Sequence, residues 1–585
     1  MASDISKDEA LERMRHSTAH VLAQAVTELF PGTKLGIGPA IENGFYYDFE
    51  SEHKFTPEDL PVIEAKMKEI VKARHPFVRS EHDKGEAAKF FLDRGEKYKV
   101  ELIGALPDEK MSYYENGGFI DLCRGPHVAD TGRLKHFRLT RIAGAYWRGD
   151  EKRPMLQRVY GLAFNTKDEL DAYLKQQEEA AKRDHRKIGK EMDLFSFHDD
   201  VGAGLVHWHP KGALMRVLIE DFWRSEHLKA GYDFLFTPHI GRAQLWETSG
   251  HLGFYKENMY SPMDIDGMDY YAKPMNCPFH IQVYKTHKRS YRELPLRWAE
   301  LGTVYRYEKA GVLHGLMRVR GFTQDDAHIF CTPEQIEEEI VRTLKFNLHI
   351  LRAFGFNDIA AYLATMPEGA VGEPARWAQA TASLKKALEA ENIPYSVDEG
   401  GGAFYGPKID LKIKDAIARE WQLGTIQFDF NMSERFELSY VGSDGHEHRP
   451  YMVHRALLGS LERFYGILVE HYAGWFPLWL TPVQVKVLTL TEGQNAYGQE
   501  IRQKLVDAGI RAELDDRNEK IGLKIRETQL KKVPYMLILG ANEAANGTVT
   551  VRVKSGKNIP DLKIEAVIAA LLGEVKSRTA ENAYS

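Results

Sequence analysis

Three segments far apart in the chain carry side chains able to hold a soft divalent metal: Lys273-Pro-Met-Asn-Cys277-Pro, Gln324-Asp-Asp-Ala-His328 and Met452-Val-His454-Arg. One thiolate and two imidazoles form a three-ligand set suited to zinc, with a fourth coordination position left for substrate. No pair among them has zinc-finger spacing, so the same residues also read as a small buried thiol and two satisfied core histidines. A second group lies near the start. His16-Ser-Thr-Ala-His20 sets two imidazoles on one face of a helix. Asp121-Leu-Cys123-Arg-Gly-Pro-His127 adds a thiol and a third imidazole. HxxxH with CxxxH is formally another zinc-ligand set, and the residues alone do not exclude a metal there.

A third group suits phosphate. Between residues 303 and 320, Arg306, Lys309, Arg318 and Arg320 stand against a single acid, Glu308. A planar guanidinium grips phosphate through two parallel hydrogen bonds, which lysine cannot reproduce. Aimed at an α-phosphate, it would stabilise the charge that builds as a carboxylate attacks. Gly459-Ser-Leu-Glu-Arg463 reads as a helix start, with glycine permitting close approach and Arg463 one turn on. A solvated basic hairpin and an ordinary amphipathic helix would also account for these two stretches.

The elements that must position these residues fall into blocks. Residues 9–30 read as one helix, with Leu11, Met14, Val21, Leu22, Val26 and Leu29 near helical period. Mixed α+β character continues to about Thr166. TKDELDAYLKQQEEAAKRDHRKIGKEMDLF then reads as one long polar helix, with six basic and three acidic residues from Lys175 to Lys190. It suits either a solvated connector or an RNA contact. From about 195 to 480 helices mix with strand runs such as TIQFDF and FELSYVGS. Prolines in GWFPLWLTPVQV mark a boundary. Beyond it, strand–helix–strand alternation predicts a small three-layer α/β domain. The expected division is therefore 1–165, a linker helix over 166–194, 195–480 and 481–585.

Composition narrows the class. The 585 residues carry 78 Lys and Arg against 84 Asp and Glu, a formal charge of −6. Any nucleic-acid contact must come from local basic patches. No apolar run approaches the ~20 residues of a membrane span, and the polar N-terminus lacks a signal peptide's apolar segment. Three cysteines, Cys123, Cys277 and Cys331, argue against a disulfide framework and for a reducing, cytoplasmic setting.

Taken together the segments resemble class II aminoacyl-tRNA synthetases, and within that class the threonyl-tRNA synthetase family, from about residue 9 to about 575. Gly212 through Thr237-Pro238 resembles motif 1, which builds the dimer interface in the family. Val304-Tyr-Arg306-Tyr-Glu308, returning through HGLMRVRGFTQDDAHIF, resembles motif 2, and Gly459-Ser-Leu-Glu-Arg463 resembles motif 3. The resemblance implies a class II core with an antiparallel sheet, an N-terminal α+β editing domain and a C-terminal anticodon-binding domain. It implies zinc on Cys277, His328 and His454, ligated by the amino and hydroxyl groups of threonine, so that valine is refused. Asp326 would face the substrate amino group, with Gln324, Tyr405 and Gln422 lining the pocket. Arg306 would hold the α-phosphate of ATP, and Arg463 the γ-phosphate and adenine. Met275, Glu308, Arg318, Thr425 and Ser460 correspond to other positions near nucleotide or amino acid, and magnesium is expected with ATP. His251 resembles a histidine proposed to assist transfer to the tRNA 2′-hydroxyl, although a surface histidine in a mobile loop would read the same.

The N-terminal block is similar to the family's editing domain, which hydrolyses mischarged seryl-tRNA without a bound metal. His16, His20, Lys99, Asp121, Cys123 and His127 are the corresponding positions. Many bacterial relatives carry a further small domain before it, whereas this chain begins almost at the editing helix. Near the other end, Arg517 to Lys532 hold six basic and two acidic residues, suited to phosphate contacts. Asn518, Arg526, Glu543 and Arg552 correspond to anticodon-reading positions. The implied partners are threonine, ATP, tRNA(Thr) and a second copy of the chain, with no membrane. Three rivals fit less of the sequence. An inactive RNA-binding paralogue would have lost Arg306, Arg463 or a metal ligand; a prolyl or seryl synthetase lacks the Cys–His–His set with the editing block; a metal-dependent hydrolase of the first block leaves the rest unexplained.

Overall fold

In the opening helix, Lys7–Leu29, residues Val21, Leu22, Ala25 and Val26 are wholly buried, as the apolar spacing requires. The computed structural model describes residues 7–579 and 581–584, so the outermost ends of the expected first and last domains lie outside the described residues. The chain divides into two compact units, Met1–Glu178 and Glu179–Ser585.

In the first unit the opening helix and Asp59–Ala73 pack together with a five-stranded antiparallel sheet, which includes Gly44–Glu50, Met155–Ala163 and Phe137–Tyr146. Phe45, Tyr47 and Phe49 alternate inward from Gly44–Glu50 and join Val21, Ile63 and Met67 in the core. A second antiparallel sheet holds Val78–Asp83, Lys110–Asn116 and Phe119–Leu122, and its last strand carries Asp121.

The second unit is built on eight strands in the order Asp233–Phe234, Leu296–Tyr305, Gly321–Cys331, Tyr451–Ser460, Glu420–Asp429, Lys408–Lys414, Ile359–Ala364 and Tyr395–Asp398. The interior pairs are antiparallel, and only the two edge pairs are parallel. Its main core joins residues of the helices Pro210–Lys229, Ile336–Ala353 and Leu461–Tyr472 to sheet residues such as Ile329, Ile426 and Val453. Five more strands follow, ordered Ala512–Asp515, Val485–Thr489, Tyr535–Leu539, Val549–Val553 and Asn558–Leu562; the first three are mutually parallel. The fold is the expected one: a class II core with an antiparallel sheet, preceded by an α+β block and followed by an α/β block.

Two local expectations are corrected. The polar run after Thr166 is not one helix but two, Lys167–Arg183 and His185–Met192. Asp184 leaves the helical region and its carboxylate accepts the Arg186 N–H at 2.8 Å, capping the second helix. FELSYVGS forms only the two-residue strand Tyr440–Val441: Phe436, Leu438 and Tyr440 alternate inward as the pattern requires, but Glu437 takes φ 53°, which interrupts the extended backbone after the short helix Met432–Arg435.

Candidate functional site

Along Gly321–Cys331, side chains at alternate positions share a face, so Gln324, Asp326 and His328 point together. A β-bulge between Gln324 and Asp326 shifts the pairing with Tyr451–Ser460 and brings His328 directly opposite His454. Asp325 faces the other way, accepting from Trp223 Nε1, Arg455 and the backbone N–H groups of Leu457 and Leu458, which pins the bulge from behind. Cys277 opens the helix Cys277–Tyr284. The thiol of Cys277 and a nitrogen of each of His328 and His454 lie within 4.8 Å of one another, all buried. His454 Nε2 is 2.7 Å from Asp429 Oδ2, and His328 Nε2 is 3.0 Å from His454 Nδ1. Burial holds the Cys277 thiol well above its ordinary pKa and the His328 imidazole well below its own.

These donors form one end of a cavity of about 510 Å³. Asp326, buried and raised in pKa by that burial, accepts from Asn276 Nδ2 at 3.1 Å. Tyr405, Gln422 and Gln324 line the same space, and the Gln324 carbonyl oxygen is buried without a partner. At the other end Arg306 donates to the Pro274 carbonyl, and Arg318 donates to Glu308 at 3.0 Å. Ser460 caps the helix Leu461–Tyr472 by accepting the Arg463 N–H. The Arg463 guanidinium pairs with no carboxylate among the described residues, its Nε is buried without a partner, and burial together with nearby Arg318 depresses its pKa. A half-buried cation facing an open cavity beside a second cation is suited to an anion. Met275 and Thr425 line it too.

His251 is not a surface residue of a mobile loop. It is 1% exposed, with Nδ1 2.7 Å from Ser249 Oγ and Nε2 2.8 Å from Met275 Sδ, and burial beside Arg306 lowers its pKa to about 4.

In the first unit His16, His20, Cys123 and His127 converge, their donor atoms within 4.8 Å of one another. Cys123 Sγ lies 3.2 Å from both His16 Nε2 and His127 Nε2 and accepts the Gly125 N–H at 3.1 Å. That contact requires Gly125 at φ 71°, where a side chain would also strike the Tyr114 hydroxyl. Ser17 Oγ donates to the Arg13 carbonyl, so His127 Nδ1–H, 2.9 Å away, is the donor to Ser17 and His127 Nε2 is left as an acceptor facing the thiol. Lys99 Nζ is 2.6 Å from Asp121 and donates to Tyr47 Oη, which in turn bonds Asp121. Burial raises the Cys123 pKa to about 12 and lowers those of His16, His20 and His127, leaving a neutral thiol among neutral imidazoles. A cavity of about 470 Å³, lined by Glu12, Arg13, His16 and Pro126 among others, opens onto this cluster.

The C-terminal patch is smaller than its sequence suggests. Arg517 is neutralised by Asp515 and Glu527, and Lys524 is buried, donating to the Thr489 and Asp515 carbonyls. Asn518 and Arg526 are exposed. Glu543 accepts from Gly540 N–H and Thr550, and Arg552 donates to the Gly556 carbonyl and Asn558.

Several residues of the central site escaped the sequence. Gln427, opposite His454, lines the cavity, and Asn276, His280, Glu300 and Asp429 touch the donors or their partners. His280, one turn beyond Cys277, was within reach of a helix-spacing argument; the others depend on cross-strand pairing that no local pattern announces.

Residues 111–160 match the family described as "Threonyl and Alanyl tRNA synthetase second additional domain", residues 260–472 the "tRNA synthetase class II core domain (G, H, P, S and T)", and residues 484–574 the "Anticodon binding domain". The threonine–tRNA ligase of Magnetococcus marinus is 57% identical over 571 residues, 97% of this chain and 88% of the relative. That of Borrelia hermsii is 54% identical over 582 residues, 99% of this chain and 100% of the relative. Among solved structures, the RNA binding domain of threonyl-tRNA synthetase from Cryptosporidium parvum Iowa II is 40% identical and covers 67% of this chain and 98% of its own, at a TM-score of 0.64. Identity of this extent over nearly the whole length, on a core whose cavity joins a thiol–imidazole donor set to guanidinium groups, means that the chain belongs to the threonine–tRNA ligase family.

Proposed function

We propose that the chain joins L-threonine to tRNA(Thr) through threonyl-adenylate, with ATP giving AMP and pyrophosphate, and hydrolyses seryl-tRNA(Thr) at a second site in its N-terminal block. The observation that carries the reading is the shared cavity. One end presents Cys277, His328 and His454; the other presents Arg306 and an Arg463 with no carboxylate partner among the described residues. The donor set fits zinc in number and type, and Asp429 behind His454 is the outer partner such a ligand requires. When bound there, zinc would supply a Lewis acid that recognises the substrate's amino and hydroxyl groups. Asp326 receives the ammonium, while Gln324, Tyr405 and Gln422 enclose the side chain. Arg306 holds the α-phosphate as the carboxylate attacks, Arg463 holds the γ-phosphate and adenine, and Glu308, Arg318, Met275, Thr425 and Ser460 shape the nucleotide end. Magnesium accompanies ATP.

His251, held neutral at pH 7, is able to accept a proton during transfer to tRNA. Serine differs from threonine by one methyl, worth only about 1–3 kcal/mol, which is why a second site is needed. There a neutral imidazole, His16 or His20, takes a proton from water, while Lys99 and Asp121 orient the ester and Cys123 and His127 shape the floor. Asn518, Arg526, Glu543 and Arg552 face the anticodon loop. In this reading editing belongs to 1–165, connection to 166–194, synthesis to 195–480 and anticodon reading to 481–585. Phe236, 89% exposed beside Thr237-Pro238, and the exposed Ile240 suit a homodimer contact. No described helix is long and apolar enough to cross a membrane, and three buried free thiols suit the reducing cytoplasm.

The test is pyrophosphate exchange with threonine, serine and valine, with zinc quantified on the same sample. Strong exchange with threonine, weaker with serine and none with valine, at one zinc per chain, is expected. Exchange with valine would overturn the zinc reading, and no exchange at all would overturn the ligase.

A further inference from the structure

His328 reaches its outer partner through a second imidazole. His328 Nδ1 lies 2.8 Å from Nδ1 of His280, and His280 Nε2 lies 3.0 Å from Glu300 Oε2. Glu300 is 4% exposed, and its carboxylate also takes the Thr237 N–H at 2.8 Å and the Thr237 hydroxyl. Lys273, fully buried, donates to that hydroxyl at 2.7 Å and stands 3.6 Å from the carboxylate. A carboxylate only accepts, so His280 Nε2 carries the hydrogen and His280 Nδ1 presents its lone pair. The hydrogen between the two rings must then sit on His328 Nδ1, which leaves His328 Nε2 bare toward the cavity. On the other side Asp429 fixes the hydrogen on His454 Nε2 and bares His454 Nδ1. Two bare nitrogens 3.0 Å apart require a cation between them, and the nearby Cys277 thiol makes that cation a metal better than a proton.

We propose that His280 and Glu300 are positioning residues for the metal: Glu300 orients His280, and His280 locks His328 into the tautomer that ligates through Nε2. The two histidine ligands are thus held differently, His454 by an anion in contact and His328 by an anion one ring removed. The inference rests on the zinc reading above.

Zinc affinity, measured by competition with a chromogenic chelator, tests it in the full chain. The parent is measured first, and a parent that holds no zinc would sink the metal reading itself. With zinc on the parent, His280→Leu is expected to weaken affinity about 10–100-fold, the usual cost of losing an outer partner. His280→Gln, whose amide accepts from His328 and donates to Glu300, is expected to stay near the parent. Parent-like affinity in His280→Leu, or equal loss in both variants, would overturn the relay while leaving the zinc site standing. Should His280→Leu not fold, His280→Asn carries the test, because its shorter amide cannot span both partners. It must then lose zinc where His280→Gln retains it, and equal retention overturns the proposal.

Discussion

At the scale of single residues, unpaired charge separates catalysis from folding. Arg463 has no carboxylate partner among the described residues, so Arg463→Ala is expected to leave stability within about 1 kcal/mol of the parent. The same change should slow threonine-dependent pyrophosphate exchange by about 100-fold or more, since it removes a fixed charge from the end of the cavity proposed to hold phosphate; parallel denaturation and exchange assays check both halves. His251 gives a pH signature. Its folded pKa, about 4, lies below the ordinary 6.5, so below pH 6.5 the unfolded chain binds a proton that the folded chain refuses. Stability is therefore full above 6.5 and falls as pH drops toward 4, by up to about 3 kcal/mol. Urea unfolding at pH 5 and pH 7 should show a smaller pH difference in His251→Gln than in the parent. In the editing cluster, imidazoles lowered below 6.5 and a thiol raised to about 12 predict seryl-tRNA hydrolysis that is flat from pH 7 to 9 and falls on acidification. A rise across pH 8–9 would instead mean that the thiolate does the work.

At the scale of elements, the break at Asp184 is the clearest departure from periodicity. Asp184 caps His185–Met192, and the ring of His185 then donates to Glu470 at 2.6 Å and accepts the Leu316 N–H at 3.0 Å. Asp184→Ala is expected to cost about 1 kcal/mol as a lost cap, whereas His185→Ala, which strands the Leu316 N–H and takes one donor from buried Glu470, leaving it Arg419 and the residue-185 N–H, should cost about 2–3 kcal/mol; thermal unfolding of the two variants should rank them in that order. What the sequence made legible here follows from how local each signal is. The opening helix and the strand–helix junction at Ser460 are written in neighbouring residues. The bulge at Gln324 and Asp326 is not, since it exists only against Tyr451–Ser460, more than a hundred positions on. Asp184 carried a readable cap signal, an aspartate before a basic turn, that the surrounding helical pattern outweighed.

At the scale of the whole molecule, charge and exposed apolar surface set the associations. With a formal charge of −6 and two of the six cations of the C-terminal patch withdrawn into Asp515, Glu527 and backbone carbonyls, few phosphates can be neutralised there. The salt dependence of tRNA affinity should be correspondingly shallow. Phe236→Glu is expected to turn a dimer into a monomer in sedimentation equilibrium; a parent that is already monomeric would remove Phe236 from any interface. The block order was legible because the motifs are long and specific, while assembly was not, since an exposed aromatic is visible only once its neighbours are folded.

The pairing of His328 with His454 also has a consequence in time. The two are 126 residues apart. At about 5–20 residues per second on the ribosome, roughly 6–25 s pass between the emergence of one and of the other. For that interval a nascent chain carries Cys277 and His328 with the set incomplete. On the proposed zinc reading, the full donor set would exist only after the strand Tyr451–Ser460 has been made, so zinc would complete the site late and would not template the early core.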